Sequence, residues 1–249
     1  MKKIINKSLM FLSLLSAPLL HAESIDHIKE TGVLQVCANP EQKPFSWDSG
    51  RPEGFQIDVA KVLADKLEVE LDVAWIFLKR HAKKTGCDMY VGVARLDGDT
   101  KYVKKSDPFA RIEFKLVTAK GIKPVSNIKD LKGLTIGLSA GSIAAHALRD
   151  KGVEFAVSHR DEASRLDAVA NGVIDGAIVT QVSAGWYEKT FGSQFNVYDA
   201  EKILKAKLNY DYSLGLRRSN QQSKAEFNQI LAEMKADGSI EKVLDKYGI

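Results

Sequence analysis

The chain is 249 residues long, with 45% hydrophobic and 27% charged residues, the balance of a folded globular protein and not of a disordered one. Its formal net charge is +4 at pH 7, but residues 1–22 carry three lysines and no acid, so the rest of the chain stands at +1. That near-neutral remainder excludes the broad basic surface that nucleic-acid binding demands.

In chain order, the first segment combines a basic start (Lys2, Lys3, Lys7), an apolar run from Leu9 to Leu20 and the small-residue site Leu20-His21-Ala22. Together these predict a signal peptide cleaved after Ala22. The run is shorter than the roughly 20 residues that span a bilayer. No cysteine follows the site directly, so no lipid anchor is expected, and no later stretch is apolar enough to cross a membrane. Two cysteines remain, Cys37 and Cys87. Export permits a disulfide between them. Two separate thiols are the other reading, because parallel-strand geometry can hold the pair further apart than a disulfide spans.

Val33–Ala38 reads as a first strand, followed by a Pro-rich loop over residues 39–52. A helix over 56–67 comes next, with Ile57, Ala60, Leu63, Ala64 and Leu67 on one face and Lys61, Asp65 and Lys66 elsewhere. Residues 70–75, the short apolar run 88–93, and 113–118 read as strands. Gly and Pro within 119–125 break the pattern, which then restarts. Residues 128–133 lead into a strand over 134–138, and Ser139-Ala140-Gly141-Ser142 opens a helix to residue 151. Then 153–157, 163–171 and 174–179 read as strand, helix and strand. Residues 212–216 form a last strand, before helices over 222–236 and 239–247 separated by Gly238, with Ser239 placed to cap the second.

This alternation predicts an α/β architecture with largely parallel sheets. Two units emerge, each large enough to be a lobe. They join near 117–121 and again near 204–212. The predicted organisation is residues 1–22 as signal peptide, 23–118 with 207–249 as a discontinuous first lobe, and 119–206 as the second lobe.

These residues carry a resemblance. Val33-Leu34-Gln35-Val36-Cys37-Ala38, Pro44-Phe45-Ser46 and Gly54-Phe55-Gln56-Ile57-Asp58-Val59-Ala60 resemble the opening of the family-3 extracellular solute-binding proteins. Ser106-Asp107-Pro108-Phe109 resembles that family's strand-ending motif. Asp130-Leu131-Lys132-Gly133-Leu134-Thr135-Ile136-Gly137, with Ser139 to Ser142, resembles the start of its second lobe. Asn171-Gly172-Val173-Ile174-Asp175-Gly176-Ala177 and Gly238-Ser239-Ile240 with Tyr247-Gly248 resemble its later landmarks, in the same order. Within the family the chain most resembles the MxaJ/XoxJ type, periplasmic proteins associated with quinoprotein alcohol dehydrogenases. Val36-Cys37-Ala38-Asn39-Pro40, Cys87-Asp88-Met89-Tyr90-Val91-Gly92-Val93 and Ala184-Gly185-Trp186 carry that likeness. The resemblance implies the type II periplasmic-binding fold: two Rossmann-like lobes, joined by two crossover strands, closing on a ligand by hinge motion.

Ligands in open α/β sheets sit beyond the carboxyl ends of the strands. Phe45, with Trp47 beside it, follows the first strand and offers an aromatic face, unless the ring packs under the Pro-rich loop. Gly92, Val93 and Arg95 end the third strand, where backbone groups and a guanidinium suit a carboxylate; a solvated surface arginine is the other reading. Ser139, Gly141 and Ser142 precede a helix whose N–H groups suit an anion, although Ser142 equally suits a plain N-cap. Thr180 and Gln181 end the strand after Asp175 and present neutral hydrogen-bonding groups, while Asp175 itself reads as structural.

The departures from the family are as informative. Its amino-acid binders carry an arginine after the third strand for the α-carboxylate, and an acid after the second-lobe strand for the ammonium. Thr100 and Thr180 fall at those places here, so an amino acid held in the usual way is not expected. Residues 76–86 form a shortened, Lys- and Arg-rich stretch that predicts reduced cover on one face of the cleft. His27, His81, His146 and His159 lack metal-ligand spacing, and His21 leaves with the leader. No phosphate loop follows the first strand, and Ser142 with His146 makes no triad. The prediction is a non-enzymatic monomer without a cofactor that captures a small polar solute for an ABC permease. The alternative is an accessory partner of a periplasmic PQQ-dependent dehydrogenase or its cytochrome.

Overall fold

The structure, a computed structural model, describes residues 25–96, 98–157 and 159–249. The predicted signal peptide and its cleavage site lie outside the described residues. Helix α1 (Ile25–Thr31) leads into β1 (Val33–Ala38). Residues expected as a loop fold instead into a small antiparallel sheet of β2 (Glu41–Gln42), β3 (Ser46–Asp48) and β4 (Pro52–Glu53). Strands this short leave no readable alternation, so the sequence alone reads as a loop here. Helix α2 (Phe55–Leu67) buries Phe55, Ile57, Val59, Ala60, Leu63, Ala64 and Leu67, the stripe its helical spacing dictates.

After β5 (Glu70–Trp75) and the short α3 (Ala82–Thr85) come β6 (Met89–Ala94) and β7 (Val103–Ile112). β13 (Tyr210–Arg217) returns from late in the chain to lie antiparallel between β6 and β7. The first sheet thus has the order β5-β1-β6-β13-β7, with β1 parallel to β5 and β6. The sequence hid β7 because Pro108 stands inside it. Pro108 is tolerated there because β7 is an edge strand and its register with β13 shifts on both sides of Ser213, which Pro108 faces.

The second half repeats the plan. Its elements are β8 (Phe114–Ala119), β9 (Ile136–Gly137), α4 (Ile143–Arg149), β10 (Phe155–Ala156), α5 (Glu162–Ala170), β11 (Gly176–Thr180), α6 (Gln181–Phe191), β12 (Phe195–Asp199) and α7 (Ala200–Leu204). The sheet order is β10-β9-β11-β8-β12, parallel among β10, β9 and β11 and antiparallel where β8 joins β11 and β12.

β8 therefore belongs to the second sheet, and the first crossover falls at Glu113, earlier than the expected 117–121. The expected lobe end at residue 118 moves with it. The cause is alternation: Leu116 and Val117 enter separate core clusters on opposite faces of the second sheet, as successive strand residues must. The second crossover, residues 205–209, lies inside the expected span. The helix expected to open at Ser139 is confined to α4, and the strands expected over 134–138 and 153–157 shrink to the two-residue β9 and β10. Helix α6 escaped the sequence reading because Gly185 interrupts it.

The first core gathers α2, β1, β6 and β13 under α8 (Gln221–Ala236) and α9 (Ser239–Lys246), with Phe227, Leu231, Met234, Ile240 and Val243 facing in. Each fully buried side chain of this size contributes about 1.5–3 kcal/mol. Val182 of α6 enters that same core. Gly185 docks α6 on the C-terminus so closely that a Cβ there would fall 2.2 Å from the Tyr247 carbonyl oxygen. Cys37 and Cys87 are disulfide-bonded, with Cα atoms 5.6 Å apart. Parallel-strand spacing would hold the pair apart only if both lay in paired strands. Cys87 instead sits in the approach to β6, where Tyr90 and not Cys87 faces Cys37.

Candidate functional site

Side chains of α6, of α7 and of the second crossover itself hold the two crossovers in place. Gln181 donates its backbone N–H to Glu113 O at 2.8 Å and its Nε2 to Arg111 O at 2.7 Å, while its Oε1 accepts from Glu113 N–H at 2.5 Å. From the second crossover, Asn209 Oδ1 accepts from Phe114 N–H at 2.8 Å and ties the two together. Glu201 Oε1 accepts from the N–H groups of Leu208 and Asn209 at 2.6 and 2.8 Å. Gln181, expected to meet the ligand, is thus a clamp on the first crossover.

Beside this joint lies a cavity of about 170 Å³. Ser139, Ser142 and Glu162 bring polar groups to it, and Phe114, Ile178 and Tyr210 are among its apolar walls. Leu96, from the loop after β6, closes it from the first half. A second cavity of about 190 Å³ lies at the carboxyl ends of β1 and β6, where Asn39, Gln56, Phe77, Tyr90 and Gly92 meet.

Of the expected residues, the structure brings Ser139 and Ser142 into the first cavity and Gly92 into the second. Ser142 caps α4, its Oγ accepting from Ala145 N–H at 3.1 Å, and Gly141 turns the preceding loop at φ 69. Phe45 is 6% exposed and packs edge-on against Phe55 and Tyr212 at 6.3 and 6.4 Å, so it is core and not wall. Trp47 lies against Trp186, centroids 6.4 Å apart, in a different groove. Val93 is buried opposite Ser213. Arg95 donates to Ser106 O at 2.9 Å and stands 3.6 Å from Asp107, a partnered surface arginine. Thr180 is 2% exposed and caps α6.

Residues 34–249 match the family described as bacterial extracellular solute-binding proteins, family 3. The chain belongs to that family. Among curated relatives, it is 25% identical over 254 residues to the lysine/arginine/ornithine-binding periplasmic protein of Escherichia coli (strain K12), covering 97% of this chain and 96% of that one. It is 26% identical over 223 residues to the arginine-binding extracellular protein ArtP of Bacillus subtilis (strain 168), covering 86% and 85%. A solved ancestral cationic amino acid solute binding protein superposes with a TM-score of 0.77 at 22% identity, covering 90% of this chain and 99% of that one. An ancestral amino acid-binding protein described as a precursor of cyclohexadienyl dehydratase has the same coverage and a TM-score of 0.71 at 22% identity. Those structural likenesses place the chain in the two-lobed type II periplasmic-binding fold, and the family makes it a solute-binding protein. The likeness to the MxaJ/XoxJ type is not among these findings; the relatives named here are amino-acid binders.

In this solute-binding protein the charged residues at the cavity were missed from sequence. Glu162 is the first residue of α5, and Asp161 caps that helix. The Glu162 carboxylate reaches the end of β11, where Oε2 accepts from Thr180 N–H, Thr180 Oγ1 and Ser183 Oγ at 2.8, 2.7 and 2.5 Å. Arg165 lies behind it, 3% exposed, donating to Ser139 Oγ at 2.8 Å. Burial lowers the Arg165 pKa, and the carboxylates of Glu162 and Asp161 oppose that. Burial, with the Glu162 charge added, pushes the Tyr210 hydroxyl up to about 12, so it is a neutral donor at physiological pH. The signal available in the sequence was the pair Asp161-Glu162, a cap followed by an acid in a first helical turn. Starting the helix at residue 163 concealed it.

Proposed function

We propose that this chain is exported to the periplasm, loses its leader after Ala22, and works as a monomer of two lobes that takes up an amino acid for an ABC permease. The ligand site in this reading is the cavity at the crossovers. The observation that carries it is the convergence of two serine hydroxyls and one carboxylate on a small, otherwise apolar cavity at the joint of the halves. Convergent polar groups in an apolar concavity are what a small-molecule site requires. The joint is also where a hinge motion would engage the ligand from both halves. Relatives of similar length are named for binding lysine, arginine, ornithine and histidine, which supports an amino acid over a sugar or a metal. The cavity holds roughly five or six waters at about 30 Å³ each, so a small ligand or one end of a larger one would fill it. Action by binding, without chemistry on the solute, completes the reading.

The other expected reading, an MxaJ/XoxJ-like accessory partner of a quinoprotein dehydrogenase, is not favoured by the relatives found, which are named as amino-acid-binding proteins.

A thermal-shift panel of amino acids, small organic acids and alcohols tests the first reading. A ligand at a hundred times its Kd stabilises the fold by about 2.7 kcal/mol. Silence across the amino acids, with binding of a dehydrogenase or cytochrome by the same protein, would overturn it in favour of the second.

A further inference from the structure

The stretch over residues 76–86 is tied down at its base and bare at its tip. Ile76 and Ala82 are buried, and the Ile76 N–H donates to Ala38 O at 2.8 Å. The Tyr90 hydroxyl donates to Lys79 O at 3.3 Å, and the bridge to Cys37 fixes the far end at Cys87. Between these anchors Phe77 and Leu78 are 59% and 45% exposed, and Lys79, Arg80, Lys83 and Lys84 are exposed with them. No Asp or Glu occurs in residues 73–87. Among the described residues, Arg80, Lys83 and Lys84 have no ion pair, and Lys79 lies over the Tyr90 ring, 6.0 Å from its centroid. Glu41, which shares a groove with Phe77, is taken by Arg160. The chain beyond residue 22 stands at +1, so without these four cations it would stand at −3.

Positive charge is thus concentrated on one tip, around two adjacent large apolar side chains that face water. Soluble surfaces ordinarily intersperse charges of both signs and keep such apolar pairs covered. The tip is small for a protein partner, since a stable interface takes roughly 800 Å² and about 20–30 residues from each side. A bilayer makes no such demand. Each cation near an anionic lipid surface contributes separately, and Phe and Leu side chains enter the boundary between headgroups and acyl chains. The anchored base means that little order has to be gained on contact. We propose that residues 77–84 dock this protein on an anionic phospholipid bilayer. Phe77 and Leu78 enter the headgroup boundary, and Lys79, Arg80, Lys83 and Lys84 meet the lipid phosphates.

The test sediments the protein, as recovered from an exporting cell, with sucrose-loaded vesicles at about 0.1 M salt. One set is phosphatidylcholine alone and the other contains about one-third phosphatidylglycerol. Binding is expected to the anionic vesicles alone, and to vanish near 1 M salt. Arg80→Gln, Lys83→Gln and Lys84→Gln should each weaken it about fivefold. The Lys79→Gln/Arg80→Gln/Lys83→Gln/Lys84→Gln variant should weaken it about a hundredfold or more, and Phe77→Ser/Leu78→Ser about tenfold or more. If the fourfold variant fails to fold, as far-UV circular dichroism would report, the single variants decide. Equal binding to both lipids overturns the proposal. So does anionic-vesicle binding that the charge variants keep at wild-type strength, because another surface, a retained leader included, would then be responsible. Wild type that ignores anionic vesicles overturns it outright, and retention on polyglutamate beads through the same four residues would then give the tip to an acidic polypeptide.

Discussion

The ring of Tyr212 lies against the backbone of Gly92, so that a Cβ on Gly92 would fall 2.3 Å from Cζ and 2.4 Å from the hydroxyl oxygen. Gly92 holds φ 99, a conformation that favours glycine, and Gln56 Nε2 donates to the Tyr212 hydroxyl at 2.6 Å. Tyr212 sits in the aromatic cluster with Phe45, Phe55 and Phe109 and cannot withdraw without disturbing it. Gly92→Ala is expected to cost about 2–4 kcal/mol from backbone strain and overpacking together. Urea unfolding measures this, and a midpoint equal to wild type would show that the ring yields freely.

The Cys37–Cys87 bridge closes a loop across 50 positions of sequence. Loop-closure entropy for that length corresponds to about 4 kcal/mol, an upper figure because the reduced chain keeps residual structure. It also anchors the turn carrying Lys79, Arg80, Lys83 and Lys84, which has little core of its own beyond Ile76 and Ala82. The Cys37→Ala/Cys87→Ala double variant should melt roughly 5–15 °C lower than the oxidised wild type. Reductant should lower the wild type towards it and leave the variant unmoved. Equal melting of all four samples would mean that the bridge adds nothing to stability.

The architecture was legible because its signals are long or repeated: the stripe on α2, the restart at Asp130 and the paired C-terminal helices each span several turns or strands. The site was not. Phe45 reads as an exposed aromatic because loop residues after a strand ordinarily face the ligand, yet its ring packs inward against Phe55 and Tyr212. Gln181 reads as a cleft residue from its position after β11, but that position is also the start of α6, and its partners are backbone atoms of Arg111 and Glu113. Such contacts join residues about seventy positions apart, with a separation of 70 between Gln181 and Arg111, and no local pattern encodes them. Glu162 illustrates the converse. Its role depends on which strand end α5 packs beside, and the spacing between residues 162 and 180 does not reveal that.

Asp237 gives the fold a dependence on acid. The hydrogen bond from Lys66 holds its carboxyl well below the usual range, assisted by the hydroxyl and N–H of Ser239. A native-state pKa lowered in this way supplies stability above the ordinary value of 3.8, and that stability is lost as pH falls through the native value. Asp237→Asn should therefore melt lower than wild type at neutral pH, and the two melting curves should converge below about pH 4. The contact is exposed, so the gap is expected to be small and to shrink in salt. Melting temperatures that differ by a constant amount through the acid range would rule out this linkage.

Two contacts tie the halves together beside the small sheet, and salt distinguishes them. Trp47 against Trp186 is apolar, whereas Glu41 and Arg160 form an ion pair with side chains 46% and 75% exposed. Glu41 stands in the first half and Arg160 just before α5, so the pair spans the opening beside Asn39 and Phe77. An exposed pair of this kind contributes about 0.2–1 kcal/mol. If that contribution belongs to the closed arrangement alone, it enters ligand affinity directly, because a ligand held by both halves draws on every contact closure makes. Arg160→Ala should then weaken binding of the best amino-acid ligand by about two- to fivefold at low ionic strength. Near 1 M salt, where the screening length falls to about 3 Å, variant and wild type should bind alike. The Trp47–Trp186 contact has no charge to screen, so Trp186→Phe should show no comparable salt dependence. Titrations of both variants at two salt concentrations decide the matter: an Arg160→Ala affinity equal to wild type at low salt would remove the ion pair from closure.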